Sequence, residues 1–141
     1  MNCQTMGNVF AEITVKNVTD IGLARAGHII ENNVRAVTLT AIVDTGATSL
    51  VINEEIFNQL GLSVVEKRYV KLAGGGRIEC KVTDPVHIQW KDRFAVVNAV
   101  VLPEGKPLLG VIPLEFMDLM VDPVNRELVG VHGDHAELMA M

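Results

Sequence analysis

One acidic side chain stands where it could transfer protons. Asp44 follows the apolar residues Ala41-Ile42-Val43 and is followed by Thr45 and Gly46. Burial next to such a strand makes a carboxylate harder to ionise. A threonine hydroxyl can hydrogen-bond within the turn, and a glycine lets the backbone approach the carboxylate without a side chain in the way. The pattern predicts a rigidly held general acid or base, and its alternative is an ordinary turn, because a tripeptide is a weak motif.

The elements that must position Asp44 are mostly strands. Alternating or continuous apolar patterns predict strands at 9–16, 34–43, 48–52, 64–73, 77–90, 94–102 and 127–131. Short helices are predicted at 53–61, between a capping Asn53 and a terminating Gly61, and from Pro113 through Leu119. Segment 17–33 is predicted to be irregular. The fold class is therefore all-β, with a closed, barrel-like sheet and two short helices.

Two further segments gain meaning from their order along the chain. Gly74, Gly75 and Gly76 separate two strands and predict a glycine-rich hairpin tip. No Gly-Lys-Ser/Thr sequence follows them, so a phosphate-binding loop is disfavoured, and an exposed tip without function is the alternative. Leu108-Leu109-Gly110 precedes the second helix, and taken alone it is ordinary core sequence.

Composition limits the possible functions. The 141 residues predict one domain, 1–141, and the net charge of -5 argues against binding to nucleic acid or to an anionic membrane. Apolar runs are too short to span a bilayer. Hydrophobic residues make up 49% of the chain, so a large core or a subunit interface is expected. The first ten residues lack the features of a signal peptide, and we expect a cytoplasmic location.

The order of these motifs resembles that of the retropepsin-like aspartic proteases, and especially of the single-domain, retroviral-protease-like proteins found outside viruses. The shared order is strand, Asp44-Thr45-Gly46-Ala47, strand, short helix, glycine-tipped hairpin and Leu108-Leu109-Gly110, over about residues 38–120. Each motif is weak alone and the order is specific. The resemblance implies an acid protease fold and a peptide or protein substrate, with no metal and no cofactor.

The resemblance also implies a role for each motif. Asp44 would be the catalytic carboxylate, Thr45 the hydroxyl that joins the two active-site turns of a dimer, and Gly46 a backbone contact to substrate. Gly74, Gly75 and Gly76 would form the tip of a flap that closes over a bound peptide. Leu108, Leu109 and Gly110 would pass beneath the active-site turn and support it.

The chain departs from the viral pattern at two positions. Retroviral enzymes often carry an acidic residue and an arginine where this chain has Thr48 and Val111. Because both charges are absent together, neither is left buried alone. A serine in place of Ala47 could donate a hydrogen bond to an ionised carboxylate pair and so lower the pKa of the pair, and alanine cannot. We therefore expect a mildly acidic pH optimum rather than a strongly acidic one.

The mechanism of this family needs two adjacent carboxylates, and the chain offers one. The other aspartates lack a following Thr/Ser-Gly; they are Asp20, Asp84, Asp92, Asp118, Asp122 and Asp134. The second carboxylate must then come from Asp44 of another copy, which predicts a homodimer with a two-fold axis.

The sequence is also compatible with two other functions. A dimeric β module of the same fold could bind an extended peptide without cutting it, or serve as a scaffold. A metal-dependent hydrolase could use the C-terminal His132 and His135, although the sequence shows no third ligand motif and a solvated terminus is favoured.

Overall fold

The computed structural model describes residues 8–133, 136 and 137. The strands are Val9–Asn17 (β1), Ala36–Val43 (β2), Leu50–Asn53 (β3), Val64–Lys71 (β4), Arg77–Trp90 (β5), Arg93–Leu102 (β6), Leu108–Leu109 (β7), Leu119–Asp122 (β8) and Glu127–Gly130 (β9). The helices are Val18–Arg25 (α1), Glu54–Leu60 (α2) and Val111–Phe116 (α3), with a 3₁₀ turn at Glu31–Asn33. None of these helices is both long and apolar enough to cross a membrane.

Six strands form a closed ring, which confirms the all-β, barrel-like prediction. The main sheet has the order β1-β2-β7-β3-β6-β5-β4, and β1 also pairs with β5. That second pairing closes β1, β2, β7, β3, β6 and β5 into a ring and leaves β4 outside, paired with β5 alone. β8 and β9 form a separate two-stranded sheet. Closure leaves few free strand edges in the ring itself.

The core fills the ring through strand alternation. In β1, Ile13 and Val15 point inward and are almost fully buried, and Val86 and Ile88 do the same in β5. Successive side chains of a strand point to opposite faces, so an apolar residue at every second position covers one face completely. The sequence pattern thus directly sets which residues fill the barrel.

The predicted helix after β3 is confirmed with both of its ends. The side chain of Asn53 accepts a hydrogen bond from the Ile56 amide at 2.9 Å. Gly61 adopts a left-handed conformation with φ of 61° directly after α2. Both ends therefore follow the capping preferences that the sequence displays.

The prediction that 17–33 is irregular is wrong, because α1 occupies part of it. The side chain of Asn17 accepts a hydrogen bond from the Asp20 amide and donates one to the Leu60 carbonyl. The Arg35 guanidinium donates two hydrogen bonds to the Asp20 carboxylate, at 2.8 and 3.0 Å. α1 lacks an apolar face, so local periodicity does not reveal it. It is held by its local cap at Asn17 and by the long-range contacts to Leu60 and Arg35.

Other element boundaries also differ from the predictions. The structure has three α-helices instead of two among the described residues, and α3 begins at Val111, before Pro113. Asp118 has φ of 58°, which stops helical geometry, so β8 starts at Leu119 instead of the helix ending there. β2 begins at Ala36 because the Arg35 amide binds the Asp20 carboxylate.

Candidate active site

Asp44 lies on a tight turn between β2 and β3. Its Oδ1 accepts a hydrogen bond of 2.8 Å from the Gly46 amide, and its carbonyl accepts one of 3.0 Å from the Ala47 amide. A Cβ at position 46 would lie 3.1 Å from that same Oδ1. The expected close approach of backbone to carboxylate is therefore present. Asp44 itself is half-buried in the single chain.

The segment 107–112 supports the turn from below through backbone hydrogen bonds. β7 pairs in parallel with β2 and antiparallel with β3, so it lies between the two strands that flank the turn. The Asp44 amide donates to the Leu109 carbonyl at 3.0 Å, and the Ile42 amide donates to the Pro107 carbonyl at 2.9 Å. Leu108 and Leu109 are thus placed directly beside the Asp44 turn.

Helix α3 begins against the other side of the same turn. The amides of Val111 and Ile112 each donate a 2.9 Å hydrogen bond, to the carbonyls of Ala47 and Thr48 respectively. The two uncharged positions Thr48 and Val111 therefore lie at this junction, where main-chain groups make the contacts. No charged pair is needed to join the turn to the helix.

Gly110 is the residue that permits this close packing. Its amide donates to the Ser49 carbonyl at 2.9 Å. A Cβ added there would lie 2.5 Å from the Ala47 carbonyl oxygen and would also overlap the Ser49 carbonyl oxygen. Any larger residue would push the Asp44 turn away from its support.

Thr45 differs from its predicted role within the turn. Its side chain is exposed, and its hydroxyl makes no hydrogen bond to any residue that the structure describes. The expectation that Thr45 holds its own turn rigid is wrong, because backbone groups and Gly46 already do so. The free hydroxyl remains available to a partner outside the chain.

Gly74, Gly75 and Gly76 lie at the tip of the β4–β5 hairpin, as predicted. The tip is closed by hydrogen bonds from the Leu72 amide to the Gly76 carbonyl and from the Gly75 amide to the Leu72 carbonyl. Gly75 has φ of 94°, which L residues rarely adopt, and a Cβ at Gly74 or Gly75 would meet no heavy atom within 4 Å. The hairpin tip therefore lies in open space.

A cleft of about 750 Å³ opens between the hairpin and the Asp44 turn. Both strands of the hairpin line it, with Arg68 of β4 beside its β5 partner Cys80, whereas Asp44 itself is not a lining residue. The opposite wall includes Thr48 and Ser49 of the turn and Ile112 of α3.

Several residues that build this site were missed by sequence reasoning. The Ser49 hydroxyl donates to the Asn98 carbonyl at 2.7 Å and ties the turn to β6. The Asn53 amide group donates to the Gly105 carbonyl at 3.0 Å and holds the loop before β7. Such contacts join residues about 50 positions apart, and only the polar residue types could have hinted at them.

Of the two histidines in the metal-hydrolase alternative, the structure describes His132, which does not lie at this cleft. His132 pairs with Asp118, Nδ1 to Oδ1 at 2.8 Å, and neither residue lines the cleft. His135 and Asp134 lie outside the described residues.

Comparison with known proteins supplies the family. A family model described as aspartyl protease matches residues 28–116, which include the Asp44 turn, the hairpin tip and Gly110. No curated protein matches the chain in a sequence comparison. The matched range covers more than half of the chain and agrees with the closed β architecture. The chain therefore belongs to the aspartyl proteases, of the retropepsin-like type.

Proposed function

We propose that the chain is an aspartic endopeptidase that works as a homodimer. Each chain contributes one Asp44, and the two carboxylates meet across a two-fold axis. The pair activates a water molecule, which hydrolyses a peptide bond of an extended substrate. No metal or organic cofactor takes part in this reaction.

The observation that carries the proposal is a site that is built but incomplete. The Asp44 turn is fixed by the backbone of 107–112, and within the part of the chain that the structure describes this turn carries one carboxylate, Asp44. Gly46 holds Oδ1 of Asp44, and no residue of the described chain donates a hydrogen bond to Oδ2. Thr45 presents an unpaired hydroxyl beside it. A second copy of the same turn would supply both the missing carboxylate and a partner for Thr45.

The chemistry follows from two carboxylates placed side by side. At a separation of about 3 Å they cannot both ionise, so the pair keeps one proton at its working pH. The ionised member removes a proton from the water molecule, and the protonated member polarises the scissile carbonyl. The water oxygen then attacks the carbonyl carbon, and the proton is passed on to the leaving amine without a covalent enzyme intermediate.

The remaining elements of the site have roles in holding the substrate. An extended peptide would lie in the cleft beside the hairpin. Its backbone would pair with Gly46 and with the hairpin tip, neither of which lines the cleft in the single chain. Gly75 and Gly76 hydrogen-bond with Leu72 of the same hairpin, and a Cβ at Gly74 or Gly75 would meet no heavy atom within 4 Å. The tip therefore has room to move, and the hairpin could admit and cover a peptide. Leu108, Leu109 and Gly110 support the Asp44 turn.

The proposal is tested by cleavage-site profiling of a denatured proteome digest with the wild type and with Asp44→Asn. We expect new peptide ends with the wild type over about pH 4–7 and none with the variant, because an amide can neither hold nor release the shared proton. The variant should retain the dimer, as measured by sedimentation velocity. Statine-type inhibitors should block cleavage, and chelators should not.

Two results would overturn the proposal. If the wild type cuts nothing across this pH range while it remains a dimer, the chain is a peptide-binding or scaffold module of the same fold. If chelators stop cleavage and Asp44→Asn does not, the hydrolysis depends on a metal.

A cytoplasmic location, expected from the sequence, is checked by fractionation of cells.

A further inference from the structure

A second cluster of chemically competent side chains lies at the end of the chain. Asp118, which follows α3, meets His132 and Glu137 of the C-terminal segment, and one ligand atom from each lies within 4.8 Å of the others. The His132 Nδ1 is 2.8 Å from Asp118 Oδ1 and 3.4 Å from Glu137 Oε2. None of the three residues lines the cleft beside Asp44. The proposed protease mechanism leaves this cluster without a role.

The buried member of the cluster is held in place before any ligand arrives. Asp118 is 6% exposed and has φ of 58°, a conformation that fixes where its side chain leaves the backbone. The guanidinium of Arg93 donates to the carbonyls of Met117 and Asp118, at 3.0 and 2.8 Å, and to the carbonyl of Gly133. One buried arginine thereby joins the end of α3 to the C-terminal segment and brings the cluster together.

The charge balance of the cluster leaves room for a cation. Arg93 donates to the three carbonyl groups and also forms a buried ion pair with Asp118 Oδ2 at 3.9 Å, so its one positive charge balances one of the two carboxylates. The Glu137 amide donates to Oδ2, at 3.2 Å, and His132 Nδ1 lies 2.8 Å from Oδ1 and 2.9 Å from Oδ2. Glu137 adds a second carboxylate from the solvent side, where it is 62% exposed in its side chain. The cluster thus combines two carboxylates with one imidazole, and it is buried on the Asp118 side and open to solvent on the Glu137 side.

We infer that Asp118, His132 and Glu137 bind a divalent transition-metal ion, for which Zn²⁺ is a suitable probe. Imidazole nitrogen and carboxylate oxygen are ligands that Zn²⁺ takes at about 2.0–2.2 Å, and three protein ligands leave one position for water. Such spacing requires the three donor atoms to move closer together, and the exposed Glu137 and the half-exposed His132 are the ones free to do so. Asp118 is the fixed anchor.

The effect of the ion would be structural. It would tie the C-terminal segment to the end of α3, whose first residues bind the Asp44 turn. A ligand that binds the folded chain and not the unfolded one raises stability by mass action. This inference does not rest on proteolytic activity, and a chain that cuts nothing could still bind the ion.

Isothermal titration of the untagged full chain with Zn²⁺ tests the site. We expect one ion per chain, and a loss of affinity of about tenfold or more in His132→Gln and in Glu137→Gln. Glu137 is exposed, so its substitution leaves the fold intact and keeps the test valid if Asp118→Asn fails to fold. His28→Gln is the matched control, because His28 is an exposed histidine that no described cluster includes.

A thermal melt with and without Zn²⁺ gives the second readout. The wild type and His28→Gln should melt at a higher temperature with the ion, and His132→Gln and Glu137→Gln should not. The inference is overturned if the wild type takes up no ion. It is equally overturned if both ligand variants keep wild-type affinity, since other donors would then hold the metal.

Discussion

The Asp44 turn and the tip of the β4–β5 hairpin both depend on glycine, for opposite reasons. At the turn, Gly110 is needed because neighbouring carbonyl oxygens leave no room for a Cβ. At the tip, Gly75 is needed because its backbone has φ of 94°, while the space around it is open. One region is fixed by its surroundings, and the other is limited only by its own backbone.

This difference matches the tasks that the two regions would have in a protease. A catalytic carboxylate must keep its position to within a fraction of an ångström, and backbone hydrogen bonds from β7 and α3 provide that. A flap must open and close, and local contacts at the tip are few. Substitutions at the two glycine sites should therefore have very different effects on stability.

The largest effect is expected from Gly110→Ala. Its Cβ would overlap the Ala47 and Ser49 carbonyl oxygens, so the turn and α3 must separate. We expect a loss of about 3 kcal/mol in the free energy of unfolding, measured by urea denaturation, together with loss of cleavage. Wild-type stability in this variant would show that the turn is not fixed by its support.

Asp20→Asn serves as a stability control outside both regions. The hydrogen bonds from Arg35 hold the pKa of Asp20 below its ordinary value of 3.8. We expect the variant to lose about 2 kcal/mol at neutral pH, because a carboxylate that accepts charged hydrogen bonds is replaced. Specific activity of the folded fraction should not change.

The pH dependence of that control has a defined sign. A depressed carboxyl pKa contributes stability above the unfolded value, and the contribution disappears as pH falls through the lower folded value. The difference in unfolding free energy between wild type and Asp20→Asn should be constant from neutral pH to about pH 5 and should shrink below 3.8. A difference that grows on acidification would contradict the ion-pair explanation.

A smaller effect is expected from Gly75→Ala at the hairpin tip. A left-handed backbone costs an L residue about 1–2 kcal/mol, and a tip in open space can relax part of that strain. We expect the free energy of unfolding, measured by urea denaturation, to fall by about 1 kcal/mol or less. In steady-state cleavage, KM should change more than kcat.

The smallest effect is expected from the neighbouring Gly74→Ala. Position 74 has open space and no positive φ, so stability should stay within about 0.5 kcal/mol of wild type. A loss as large as that of Gly110→Ala would mean that the tip is packed against other residues, and the contrast between the two regions would fail.

Sequence reasoning predicted the parts of the fold that local rules determine. The strands of the ring follow apolar alternation, and α2 follows from the capping residues Asn53 and Gly61. The Asp44 turn, the hairpin tip and segment 108–110 were each recognised from residue type and order. The short helix α1 was missed because it lacks an apolar face. Its cap, Asn17 with Asp20, was a local signal in the sequence, whereas the contact of Asp20 with Arg35 joins distant residues.

For the candidate site, the sequence could suggest residues but not how they are arranged in space. Gly110 packs against Ala47 and Ser49 because β7 pairs with both β2 and β3. A strand of two residues has too short a pattern for this pairing to be predicted from the sequence. Thr45 was expected to bond within its own turn, and its hydroxyl is unpaired in the described chain. The contact between Asp118 and His132 joins residues 14 positions apart, and only folding reveals it.

The central claim is that one active site needs Asp44 from two chains. Its most direct test mixes a fixed amount of wild type with Asp44→Asn at a concentration where sedimentation velocity shows dimers, and follows the cleavage rate after the chains have exchanged. With about ninefold excess of variant, random pairing should reduce activity to about a tenth, because most wild-type chains then have an inactive partner. An unchanged rate would mean that a single chain cuts on its own and would contradict the shared site.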